Sequence, residues 1–131
     1  MIPRFRAWDG GSLCRMYSPE EVMVGNGDIW IIDEDDVAGE WIVNNDLVLM
    51  QSTGLTDKNG KEIFEGDILS IETDEENVKV EVSWNSKQSM FAFESRKYNE
   101  KEPLAELFEY NHYPFKIIGN IWEDGDLLDG A

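Results

Sequence analysis

Val78-Lys79-Val80-Glu81-Val82-Ser83-Trp84 alternates apolar and polar side chains without a break. Successive side chains on a strand point to opposite faces, so Val78, Val80, Val82 and Trp84 share one face, and that face is expected in the core. Upstream, Gly66-Asp67 launches Ile68-Leu69-Ser70-Ile71, and Asp74-Glu75-Glu76-Asn77 is a polar connection short enough for an antiparallel hairpin with the 78–84 strand. Downstream, Met90-Phe91-Ala92-Phe93 supplies another strand, and Phe115-Lys116-Ile117-Ile118-Gly119-Asn120-Ile121-Trp122 closes the sheet. A helix of two turns is expected only over 103–110, where Pro103 opens the first turn and Leu104, Leu107 and Phe108 fall at i, i+3 and i+4. The acidic tail ends in a single helical turn around Leu127 and Leu128.

Working back towards residue 1, the pattern stays β. Phe5 and Ala7 alternate with polar neighbours, Asp9-Gly10-Gly11 marks a turn, and an extended run resumes over 13–17. Ser18-Pro19-Glu20-Glu21 has the form of a helix start, with a serine cap and a glutamate three residues on. Only Val22, Met23 and Val24 follow before Gly25-Asn26-Gly27, too little for a helix, so two β-branched runs folded about Asn26-Gly27 are expected, returning over 29–32. Glu40-Trp41-Ile42-Val43 and Leu47-Val48-Leu49-Met50 are two further strands about a turn at Asn44-Asn45-Asp46, and Asp57-Lys58-Asn59-Gly60 is a tight turn. The expected architecture is mostly β: small antiparallel sheets forming a partly open, SH3-like barrel with one short helix. One domain spans 1–131, with an N-terminal β part over about 1–53 and a barrel-like part over about 54–131.

Composition narrows the function classes. With 28 acidic against 11 basic residues the net charge is -17, and the acidity runs through both halves. Phosphate binding depends on Lys and Arg, so direct nucleic-acid binding and attachment to anionic lipid are disfavoured; Arg4 with Arg6 and Arg96 with Lys97 are short basic pairs in an acidic chain. The single cysteine, Cys14, forms no intramolecular disulfide and fits a reducing compartment; it is expected half-buried in a strand. No apolar run approaches the roughly eighteen residues of a membrane span, and Met1-Ile2-Pro3-Arg4-Phe5-Arg6 lacks the long apolar stretch of an export signal.

Candidate chemistry is sparse. His112, the only histidine, has neither a cysteine near it in sequence nor an activated serine motif, and a structural role is the simpler reading. Asp57-Lys58-Asn59-Gly60 starts like a calcium loop but fails it: Lys61 takes the fifth place, Glu62 replaces the sixth-place glycine and Ile68 stands at the twelfth. Asp33-Glu34-Asp35-Asp36 and Asp74-Glu75-Glu76 read as solvated loops. A carboxylate pair for hydrolysis carries no specificity among 28 acids, and no phosphate-cradling glycine spacing occurs. No catalytic residue, metal ligand or cofactor is therefore assigned. Of the five tryptophans most are expected in the core, while Trp30 and Trp41, on the less regular strands, are expected in a subunit or partner contact.

Four blocks, together spanning nearly the whole chain, resemble the YopX family of small bacteriophage and prophage proteins. They are Phe5-Arg6-Ala7-Trp8-Asp9 with Met16-Tyr17; the segment 49–68, with Thr53-Gly54-Leu55-Thr56-Asp57 and Ile63-Phe64-Glu65-Gly66-Asp67 in it; Val82-Ser83-Trp84 leading to Phe91; and Ile118-Gly119-Asn120-Ile121-Trp122-Glu123. The resemblance implies a β-rich phage or prophage product in the bacterial cytoplasm that self-assembles, and it brings no catalytic residues. Trp8, Gly54, Asn59, Gly60, Gly66, Asp67, Gly119 and Asn120 are expected to serve the backbone, with Asp67 capping a turn. The leading expectation is a non-catalytic module that binds a protein partner or itself, its acidic surface mimicking nucleic acid. The alternatives are an SH3-like nucleic-acid binder and a metal-dependent hydrolase.

Overall fold

A computed structural model describes residues 3–11, 13–32, 39–109 and 113–129. The protein is mostly β, built of antiparallel sheets, one of them curled into half a barrel, with two short helices. The chain divides into two compact units, Met1–Ser52 and Thr53–Ala131.

In the first unit β1 (Phe5–Asp9) is flanked by β2 (Arg15–Tyr17) and by the start of β6 (Val48–Thr56), so that Ala7 faces Tyr17 on one side and Leu49 on the other. Ala7, Tyr17, Val22, Ile31 and Leu47 bury one another in a small core. Cys14 departs from its expected place. It lies outside the strands, exposed, with φ at +46°, because the chain must turn there before β2 can pair.

A second sheet of this unit holds β3 (Val22–Gly25), β4 (Asp28–Ile32) and β5 (Trp41–Val43) in that order. Asn26 and Gly27, with φ of 53° and 80°, form the turn with two left-handed residues that suits the twist of a two-residue hairpin. The helix-like signal before it has a real geometric basis. Ser18 donates from both its N–H and its hydroxyl to Glu21 Oε1 at 3.0 Å, while the Glu21 N–H donates to the Ser18 carbonyl at 2.9 Å. That is half of a capping box, the Glu21 carboxylate reaching back to the Ser18 N–H across a single turn, and with no apolar stripe after it the chain enters β3 instead.

The second unit is organised by the five-stranded sheet β11-β10-β9-β8-β12, with every neighbouring pair antiparallel. Its strands are β8 (Asp67–Glu72), β9 (Asn77–Asn85), β10 (Met90–Ser95), β11 (Glu100–Pro103) and β12 (Phe115–Asn120), and residues 53–56 of β6 lie beside β7 (Glu62–Phe64). Registers such as Leu69 opposite Val80 and Phe93 opposite Val82 align the apolar faces into one layer, which Ile63, Leu104, Leu107 and Phe115 complete. Leu69 and Val82 have no exposed surface, and truncating Leu69 to alanine removes contacts that cost roughly 2–5 kcal/mol in well-packed cores.

Three expectations are corrected here. Trp84 shares the register of Val80 and Val82 but is 44% exposed, since the core ends at Val82 and the indole packs edge-on against Phe91 at 5.0 Å. None of the five tryptophans is buried; each is exposed or intermediate, as their size makes common. The expected two-turn helix is one turn, α1 (Glu106–Glu109), because Pro103 belongs to the edge strand β11, where a missing N–H is tolerated. Leu104 and Leu107 are buried as the periodicity requires, but Phe108 is exposed. A second short helix, α2 (Asp126–Asp129), carries the buried Leu128. No described helix is long and apolar enough to cross a membrane.

Candidate functional site

The motif block around Asp57 builds a joint. Asp57 sits at the head of the turn that Gly60 closes by donating to its carbonyl at 3.0 Å. Its Oδ1 accepts the N–H groups of Asn59 and Lys61, each at 2.9 Å, and its Oδ2 accepts the Ile117 N–H on β12, also at 2.9 Å. Burial alone would raise this carboxyl, but the N–H groups of Ile117, Lys61 and Asn59 hold it below the usual aspartate value. The spacing of Asp57 and Gly60 reveals the turn; the bond to Ile117 joins residues far apart in sequence and leaves no local signal.

The other motif residues serve the same frame. Gly66, at φ 84°, donates to the Val82 carbonyl and accepts from the Ile121 N–H, both at 2.8 Å. Buried Asp67 caps the β7–β8 turn by accepting the Phe64 N–H at 2.8 Å. At the end of β12, Asn120 Oδ1 accepts from Trp122 and Glu123, and Asp124 Oδ2 accepts the Asn120 N–H at 3.2 Å. Gly119 lies so close to this loop that a Cβ there would stand 2.5 Å from Asp124 Oδ2. Gly54 has φ 79° inside β6, Asn59 and Gly60 lie in the 57–60 turn, and Trp8 is half-buried on β1.

Trp30 and Trp41 fall in the same three-stranded sheet, on β4 and β5. Trp30 lies opposite Met23 and Val43, and Trp41 opposite Ile32, so the five side chains share the face turned away from Val22 and Ile31. Met23, Trp41 and Val43 are 46%, 37% and 43% exposed, and the Trp30 indole donates to the Gly25 carbonyl at 3.2 Å. Sequence reasoning singled out the two tryptophans but missed Met23, Ile32 and Val43, which only the register brings beside them.

A cleft of about 360 Å³ in the second unit is lined by Asp74, Glu75, Glu76, Val78 and two tyrosines, Tyr98 and Tyr113. Glu76 accepts from Lys97 at 2.5 Å and from the Tyr98 hydroxyl, and these two bonds hold its carboxyl below the usual glutamate value. Of the three carboxylates that line the groove, Glu76 is engaged by Lys97 and Tyr98. Among the described residues no three carboxylate, histidine or cysteine side chains converge as metal ligands. His112 and Asp33-Glu34-Asp35-Asp36 lie outside the described residues.

These features define a small antiparallel β protein whose motif glycines and carboxylates knit strands and turns together. The chain belongs to the YopX family: residues 4–129 match the family model described as YopX protein. Two solved structures are similar to it. One is protein EF1440 from Enterococcus faecalis, at 26% identity over 98% of this chain and 99% of that one, with a TM-score of 0.61. The other is protein yopX from Bacillus subtilis, at 16% identity over 95% and 97% of the two chains with a TM-score of 0.64, a likeness that shows the fold alone. No curated protein matches the chain in sequence.

Proposed function

We propose that this is a phage or prophage accessory protein that acts in the bacterial cytoplasm without catalysis, by binding a protein partner or assembling with itself. In this reading the acidic body occupies a basic site on its partner that nucleic acid would otherwise fill. The observation that carries it is charge: a folded β body with net charge -17, in which Arg4, Arg15, Lys58, Arg96 and Lys97 are each drawn into an ion pair. Lys58 holds Glu72 at 2.6 Å, Lys97 holds Glu76 at 2.5 Å, and Arg15 holds Glu21. The excess charge is carboxylate, which repels phosphate and steers a basic surface inward.

A tagged pull-down from infected and uninfected host lysate, washed at two salt concentrations, tests the reading together with light scattering on the purified protein. A basic protein released by salt is the result expected of mimicry. Capture that does not weaken with salt argues against mimicry, and an empty bait that is also a monomer overturns the interaction reading as a whole.

A further inference from the structure

The main core of the second unit lies on one face of the five-stranded sheet, where Leu69, Val80 and Val82 meet. Side chains alternate along a strand, so Glu81 and Ser83 of β9 point to the other face. The register sets Ile68 of β8 opposite Glu81 and Ala92 of β10 opposite Ser83, which puts all four on that second face. Ile68 and Ala92 are buried although neither belongs to the main core. The short helix α2 lies against β9, and its Leu128 is likewise buried outside that core. The Ser83 hydroxyl is buried too, and it has no hydrogen-bond partner.

We infer that α2 is a strap: Leu128 closes over the second face of the sheet at Ser83, and the turn opens as a unit while the strands beneath stay folded. The strap is a single helical turn, held within itself by the Leu127 N–H donating to the Asp124 carbonyl at 2.9 Å and the Leu128 N–H donating to the Gly125 carbonyl at 3.2 Å. So short a helix is not stable alone, and no basic residue in its last turn supports it. The chain leading into it is fixed. The Ile121 N–H donates to the Gly66 carbonyl and the Asp124 N–H to the Asn120 carbonyl, both at 2.8 Å, so the part free to swing begins at Gly125. In the closed state the burial of Leu128 is opposed by an unpaired hydroxyl, and opening to water hydrates that hydroxyl. One anchoring leucine set against one unsatisfied polar group is the balance of an element that opens more readily than the strands it covers. Opening uncovers Ile68, Ala92 and Ser83.

Amide hydrogen exchange of the whole protein, followed residue by residue by NMR, tests the strap. The amides of Leu127 and Leu128 are expected to be protected, but roughly a hundredfold or more less than those of Val80 and Val82, and with a weaker dependence on added urea. Ser83→Ala removes the hydroxyl without adding bulk and is expected to raise the protection of Leu127 and Leu128 by about tenfold. Leu128→Ala is expected to lower the protection of Leu127 by about tenfold or more, with Val80 and Val82 still the better protected. Equal protection of the two sets of amides would mean that α2 opens only when the sheet unfolds, and it overturns the proposal. No protection at Leu127 and Leu128 overturns it as well, since there is then no closed strap. Unchanged or lower protection at these two amides in Ser83→Ala would show that the hydroxyl does not oppose closure, and an unchanged Leu127 in Leu128→Ala that the leucine does not anchor it; either result refutes the strap.

Discussion

At the residue scale Asp57 carries the largest single consequence. Three backbone N–H groups donate to one buried carboxylate, two from its own turn and one from Ile117. In Asp57→Asn the amide has one oxygen for three donors, and its NH₂ must face at least one N–H. The expected cost is about 2 kcal/mol or more, read from urea denaturation at neutral pH. Because the folded carboxyl titrates below its unfolded value, its contribution is complete above about pH 4 and is lost as the pH falls through the folded value. The stability gap between wild type and Asp57→Asn should therefore close on acidification, since the repulsion among other carboxylates is common to both proteins. A gap constant down to about pH 2 would show that the charge at 57 adds nothing to the bonds.

At the scale of elements, the two ends of the motif test different physics. Gly60 has φ 78° and open space around it, so Gly60→Ala meets only the left-handed penalty, about 1 kcal/mol. At Gly119 an added Cβ would stand 2.9 Å from the Cβ of Asp124 as well as 2.5 Å from its carboxylate, and no rotation about χ1 moves the former. Gly119→Ala must displace the loop that holds the Asn120 N–H, and about 2 kcal/mol or more is expected. Equal denaturation midpoints for the two variants would mean that the loop yields freely. Local chemistry made the Asn26-Gly27 hairpin readable, because both residues tolerate the φ the turn demands. It failed at Pro103, where the periodicity of Leu104, Leu107 and Phe108 is helical but pairing with Ala92 takes the proline into the sheet.

At the scale of the whole molecule, 28 acids against 11 bases leave a self-repelling body. The ion pairs that offset it, such as Arg4 with Glu20 at 3.5 Å, are largely exposed and contribute little each. Screening shortens from about 10 Å at 0.1 M salt to about 3 Å at 1 M, so it should relieve repulsion more than it weakens these pairs. Tm is expected to rise with sodium chloride over that range in thermal melts followed by circular dichroism. A falling Tm would show that the pairs outweigh the net charge.

Composition and periodicity by themselves determined the strand content, the antiparallel pairing of 68–71 with 78–84, the turns at 26–27 and 57–60 and the net charge. Each depends on neighbours in sequence or on a sum over it, as the unbroken alternation of Val78, Val80 and Val82 illustrates. Tertiary structure alone decided where the core stops, leaving Trp84 exposed, and that Asp57 reaches Ile117. It also set Met23, Ile32 and Val43 beside Trp30 and Trp41. Those placements depend on strand order and register, and register is fixed by packing between segments that no local pattern in any one of them encodes.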